Sequence, residues 1–121
     1  MKTHARVVVI GGGVVGVSAL YHLAKKGWSD VVLIERKELT SGSTWHAAGL
    51  LPLFNMSYSV GQIYKYSVKF YQELQEETGM NVGFRNVSNI RLAQTEDRMD
   101  EYRQYAGVAS TIGVDVDFLT P

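Results

Sequence analysis

No cysteine occurs in the 121 residues. Disulfides, thiolate metal sites and cysteine nucleophiles are thereby excluded, and the composition fits a reducing compartment. Neither sign of charge dominates: 12 Lys and Arg stand against 12 Asp and Glu. No one-signed field exists to draw in DNA, RNA or an anionic membrane, so nucleic-acid and membrane binding are disfavoured as primary roles. No apolar run approaches the roughly 20 residues that span a bilayer. Internal repeats and low-complexity tracts are missing as well, and no metal site is expected. The first apolar run, Val7 to Ile10, begins a few residues after Met1. That leaves no room for a signal or transit peptide, and a cytoplasmic, bacterial protein is the simplest expectation.

What is present is an ordinary globular composition, 45% hydrophobic and 20% charged, of a length suited to one small domain. Arg6-Val7-Val8-Val9-Ile10 is β-branched and continuously apolar, which reads as a buried parallel strand. Glycines follow at once. Val17 to Lys26 then has helical spacing, with Leu20, Leu23 and Ala24 on one face and Gly27 as a C-terminal stop. Val31 to Ile34 is a second apolar strand ending at Glu35-Arg36. Strand, glycine turn, helix and strand make a βαβ unit.

Lys37 to Asn55 is turn-rich. Ser59 opens a longer helix, with Gln62 at capping-box spacing and Val60, Ile63, Tyr64, Val68, Tyr71 and Leu74 on one face. Gly79 follows its acidic end. Asn89 to Gln94 reads as a strand, Thr95 as the cap of a third helix with Glu96 and Asp97 in its first turn, and Gly113 as its stop. Val114, Val116 and Phe118 alternate with Asp115 and Asp117, the pattern of a half-exposed strand. The fold class expected is α/β. A Rossmann-like βαβ unit with its following strip occupies residues 1–55, and helices and strands that begin a second sheet occupy residues 56–121. Parallel sheets want more neighbours and both faces covered, so this reads as the amino-terminal portion of a longer fold, incomplete as it stands.

Gly11, Gly13 and Gly16 match the G-x-G-x-x-G dinucleotide pattern. The first glycine permits the tight turn, the second lets a pyrophosphate approach the backbone, and the third lets helix and strand pack closely. N–H groups near Val14 and Val15, at the positive end of the helix, are the expected donors to phosphate. Glu35 lies 19 residues after Gly16, where a carboxylate binds a ribose hydroxyl and repels a 2′-phosphate. Arg36 either contacts the adenosine region or sits in solvent. The pattern alone does not separate NAD from FAD.

The next stretch, Gly42-Ser43-Thr44-Trp45-His46-Ala47-Ala48-Gly49-Leu50, is rich in small and hydroxyl residues. Ser43 and Thr44 offer hydroxyls and N–H groups to phosphate or ribitol, while Ala47, Ala48 and Gly49 let the backbone approach a flat ring. A nicotinamide enzyme has no evident need of such a second strip. A lone histidine beside a tryptophan is, on these residues alone, more often structural than functional. His4 and His22 read as structural or solvated. The aromatics Trp45, Phe54, Tyr58, Tyr64, Tyr66 and Tyr71 are candidates to line a substrate pocket but read mostly as core, and the charge runs from Glu73 to Glu77 and from Asp97 to Arg103 read as wet helix faces.

Together the glycine run, Glu35-Arg36 and the Gly42 to Leu50 strip resemble the D-amino-acid-oxidase-like FAD-dependent oxidoreductases. Within that superfamily the Ser-Thr-Trp-His-Ala-Ala-Gly string is similar to the dimethylglycine dehydrogenase and sarcosine dehydrogenase group. The likeness continues through Phe70 to Leu74, Glu76 to Gly79 and Asn89 to Ala93. It implies FAD as cofactor, contacts through Gly42, Ser43, Thr44, Ala47, Ala48, Gly49 and Leu50, and a covalent bond from His46 to the flavin 8α carbon. Loss of a proton from that methyl leaves an electrophilic carbon, and neutral imidazole is a suitable nucleophile near neutral pH. The resemblance further implies oxidation of a small N-methyl amine, with tetrahydrofolate and an electron-transfer flavoprotein as partners. A related oxidase with noncovalent flavin, an NAD-binding dehydrogenase and a catalytically silent fragment stand as alternatives. No catalytic acid or base is assigned.

Overall fold

A computed structural model of the chain describes residues 3–120. It divides into two compact units, Met1–Leu50 and Leu51–Pro121.

In the first unit, strand β1 (Val7–Ile10) pairs in parallel with β2 (Val31–Ile34), in the register Val7↔Val31 to Ile10↔Ile34. Helix α1 (Val14–Lys25) crosses between them. Alternation along β1 turns Val7 and Val9 toward cover and leaves Val8 and Ile10 48% and 86% exposed. A Cβ built on Gly16 would stand 3.4 Å from Val9 Cγ1, so α1 lies against the Val9 face. The expected βαβ unit is therefore present. Its helix begins at Val14, three residues earlier than helical spacing suggests, because extended Gly13 (φ −78°, ψ 179°) already serves as N-cap. Ala24, expected on the packed face, is exposed, whereas Leu20 and Leu23 are half-buried. Gly27, at φ +83°, turns the chain out of α1. A single 3₁₀ turn spans Ser43–His46.

In the second unit, α2 (Tyr58–Thr78) and α3 (Glu96–Thr111) pack together. The N-cap of α2 is Ser57, whose Oγ accepts the Val60 N–H at 3.3 Å, and not Ser59. Ser57 wins because its backbone is extended while Ser59 is already helical, and only a non-helical residue can aim its side chain at the first turn. Gly79 closes α2 in the left-handed conformation at φ +66°, and Thr95 Oγ1 caps α3 through the Arg98 N–H. Where the helices meet, Gly61 and Ile112 touch: a Cβ on Gly61 would lie 2.4 Å from Ile112 Cδ1. Lys65 Nζ donates to the Ile112 carbonyl at 2.6 Å, placing a cation at the negative end of α3. Ala109 and Ile112 are fully buried.

The strands expected at Asn89–Gln94 and Val114–Phe118 are not formed. Among the described residues the single ladder joins β1 to β2. A strand exists only beside another that pairs its N–H and C=O groups, and among the described residues neither segment lies in a ladder. The side-chain pattern survives in part without the ladder: Val114 and Val116 are half-buried and Asp115 and Asp117 exposed, but Phe118, expected on the covered side, is 49% exposed. The charge runs lie mostly on wet helix faces as expected, with pairs Lys69–Glu73 (3.5 Å), Arg98–Glu101 and Asp100–Arg103, but Glu101 is half-buried and accepts the Tyr105 hydroxyl at 2.8 Å.

Candidate flavin-binding site

The site grows from the end of β1. Gly11 takes φ +103°, a conformation open to glycine, and its N–H extends the sheet by donating to the Ile34 carbonyl at 2.8 Å. The chain then enters α1, whose first intrahelical bond runs from the Val17 N–H to the Gly13 carbonyl at 2.9 Å. The N–H groups of Val14, Val15 and Gly16 precede that ladder and head the positive end of the helix. A Cβ on Gly16 would stand 1.9 Å from the Gly11 carbonyl oxygen, so no other residue fits there.

Glu35, at the end of β2, reaches back to this loop. Its Oε2 accepts the Gly12 N–H at 2.6 Å and its Oε1 the Lys37 N–H at 2.9 Å. The Gly12 bond, then that of Lys37, holds the carboxyl below its ordinary pKa. The group is therefore an anion at neutral pH with lone pairs left on both oxygens, suited to accept a ribose hydroxyl. Arg36 is exposed.

The strip after β2 is fastened to the same loop. The Thr40 N–H donates to the Gly12 carbonyl at 2.9 Å, and Thr44 Oγ1 accepts the Val14 N–H at 2.9 Å. Gly13, the N-cap, has no side chain to satisfy that N–H, and Thr44 supplies the oxygen from 30 positions on. Thr40 takes φ +66°, unusual for a β-branched residue, and from there accepts the Trp45 N–H at 3.2 Å. A Cβ on Gly12 would meet Leu39 Cδ2 at 2.5 Å and Glu35 Cβ at 3.1 Å. Gly12, Leu39 and Thr40 thus belong to the site although the glycine fingerprint does not include them. The unbroken Gly11-Gly12-Gly13 triplet is the signal that marks the middle position.

His46 closes the 3₁₀ turn. Its Nδ1 lies 3.1 Å from the Gly42 carbonyl oxygen. A carbonyl only accepts, so Nδ1 carries the proton and Nε2 presents its lone pair. The ring is exposed, with the Trp45 ring edge-on at 6.1 Å. Beyond it Ala47, Ala48, Gly49 (φ +70°) and Leu50 run exposed, Leu50 at 78%. Gly42 and Ser43 are exposed at the start of the turn.

The first unit therefore gathers a glycine turn, a helix N-terminus, an ionised carboxylate at the end of β2 and a strip bearing an exposed imidazole. At Gly13 a Cβ would crowd Thr44 Oγ1 at 3.0 Å, and its absence lets that oxygen reach the Val14 N–H. These residues fit the pyrophosphate and ribose of a dinucleotide. Of the aromatics weighed from sequence, Trp45, Tyr58 and Tyr66 are well exposed, and Phe54 packs in the second unit against Tyr102 and Tyr105 under the Arg91 guanidinium.

Human mitochondrial dimethylglycine dehydrogenase is 54% identical over 102 residues, covering 84% of this chain and 12% of that protein. Human mitochondrial sarcosine dehydrogenase is 42% identical over 122 residues, covering 100% of this chain and 13% of that protein. The chain thus spans about an eighth of the length of these relatives. Among solved structures, L-proline dehydrogenase from P. horikoshii superposes with a TM-score of 0.85 at 26% identity, over 93% of this chain and 29% of that one. Residues 6–121 match the family described as FAD dependent oxidoreductase, DAO, and the chain belongs to that family.

Proposed function

We propose that this chain forms the adenosine and pyrophosphate end of the FAD site in an enzyme that oxidises small N-methyl amines of the dimethylglycine and sarcosine kind. One observation carries the reading: the glycine turn, the Glu35 carboxylate and the His46 strip are hydrogen-bonded into a single construction. The relatives named above supply the substrate class.

Each residue has a separable task. The Val15 N–H at the head of α1 binds pyrophosphate, the Val14 N–H being held by Thr44 Oγ1, and Glu35 holds the adenosine ribose. Gly42 to Leu50 lies along the extended cofactor. His46, with Nδ1 engaged by Gly42, would hold the flavin through a bond from Nε2 to its 8α carbon. That attachment would exchange a methyl C–H bond for one Nε2–C bond; the methyl hydrogen, the Nδ1 proton shed by the alkylated ring and an electron pair would pass to dioxygen, giving hydrogen peroxide. FAD, when bound, supplies the acceptor for the hydride equivalent from the substrate's N-methyl carbon. The same reading takes tetrahydrofolate as acceptor of the released one-carbon unit and an electron-transfer flavoprotein as acceptor of the electrons.

Anaerobic mixing of the complete, flavin-loaded gene product with candidate amines tests this. Dimethylglycine and sarcosine should bleach the flavin, and glycine and proline should not. Bleaching by glycine or proline alone contradicts the substrate class.

A further inference from the structure

Thr44 stands where two functions meet. Its hydroxyl oxygen caps Val14, at the phosphate end of the site. Its backbone belongs to the one-turn 3₁₀ helix that ends in His46, and the Ala47 N–H returns to the Thr44 carbonyl at 3.2 Å. Thr44 is half-buried amid exposed neighbours, whereas Ser43 on one side is exposed. The remaining ties hold other points of the strip: the Thr40 N–H on the Gly12 carbonyl, the Trp45 N–H on the Thr40 carbonyl, and His46 Nδ1 on the Gly42 carbonyl. Of these ties, only the Thr44 hydroxyl links the turn itself to the helix that receives the phosphates.

We infer that Thr44 is a positioning residue for flavin attachment: its hydroxyl, held on the Val14 N–H, fixes the Ser43–His46 turn so that pyrophosphate seating at α1 also sets the place of His46 Nε2. This rests on the reading of His46 as the attachment residue. Two features of the geometry support it. First, the hydroxyl accepts from Val14 and keeps its own hydrogen, so it can donate to an incoming phosphate oxygen without letting go of the helix. The tether is compatible with a loaded site. Second, a 3₁₀ turn of four residues has few internal bonds of its own, so its orientation is set by its outside ties, of which the Thr44 hydroxyl is the one that reaches α1. Bond formation between Nε2 and the 8α carbon needs near-contact alignment, and a displacement of about 1 Å is enough to cost up to a hundredfold in rate. The step is the one written above, with a methyl C–H and the Nδ1–H given up for one Nε2–C bond and dioxygen taking the electron pair and both hydrogens.

The test uses the complete gene product prepared without flavin. FAD is added at saturating concentration under air, samples are denatured at intervals, and protein-bound flavin is counted by fluorescence and peptide mass. Thr44→Val removes the acceptor at nearly constant shape, and Thr44→Ser keeps it. Thr44→Ala serves if the valine variant does not fold. The native protein and Thr44→Ser should attach flavin at similar first-order rates. Thr44→Val, or Thr44→Ala, should attach it at least about tenfold more slowly at saturation. A residue with a merely structural role would shift thermal stability or FAD affinity and leave the saturated rate alone. Equal saturated rates in the native protein and the hydroxyl-free variants overturn the inference while leaving His46 attachment standing. Complete absence of bound flavin in the denatured native protein overturns the attachment reading itself, and the positioning role with it.

Discussion

The Glu35 carboxylate accepts the Gly12 N–H at 2.6 Å across 23 positions of sequence. This bond joins the end of β2 to the turn after β1, and it fixes both the charge and the aim of the carboxylate. Because the backbone N–H groups of Gly12 and Lys37 stabilise the ionised form, the folded-state pKa lies below the unfolded value. The sign follows: the stabilisation is present above the unfolded-state pKa and is lost as pH falls through the folded one. Thermal unfolding followed as pH drops below about 5 should show this loss in the native protein and a flatter acid limb in Glu35→Gln. Glu35→Gln should also bind FAD about tenfold more weakly at neutral pH, the worth of one charge-assisted hydrogen bond.

Gly16 and Gly11 should respond differently to alanine. At Gly16 the new methyl would stand 1.9 Å from the Gly11 carbonyl oxygen, and α1 must move off the sheet. Gly16→Ala should cost more than about 3 kcal/mol and abolish flavin retention. At Gly11 nothing lies within 4 Å and only φ +103° is at issue. Gly11→Ala should cost about 1–2 kcal/mol, as backbone strain without a clash. Denaturant unfolding of both variants ranks them.

Ile112 and Gly61 should be coupled. Ile112→Ala should cost about 2–4 kcal/mol, the usual range for emptying a buried isoleucine site. Gly61→Ala brings a methyl to 2.4 Å from Ile112 Cδ1 and should be harmful alone. In the Ile112→Ala background that methyl enters vacated space, so the second substitution should become milder by at least about 0.5 kcal/mol. A double-mutant cycle on chemical denaturation measures the difference.

The parts of the molecule most legible in sequence are those that depend on neighbours in sequence. The β-branched run Val7 to Ile10, the glycine turn and the caps at Thr95 and Gly79 carry local signals, and all appear at the expected places. The segments from Asn89 to Gln94 and from Val114 to Phe118 have strand-like side-chain patterns, but a ladder is a relation between two segments and cannot be read from one. The same limit hid the Glu35–Gly12 and Thr44–Val14 bonds, which span 23 and 30 positions. Residue type suggested a ribose carboxylate and a phosphate-binding hydroxyl. Nothing in the spacing said that both are anchored on the backbone of the glycine turn.

The central claim is that His46 Nε2 holds the flavin of an amine-oxidising enzyme. It is tested most directly by denaturing the complete gene product, native and His46→Ala, and looking for flavin that stays with the polypeptide. The native protein should give a fluorescent band on a denaturing gel whose flavin maps by mass to the peptide containing His46, and the variant should not. Flavin that separates fully from the denatured native protein, or that maps to another residue, contradicts it.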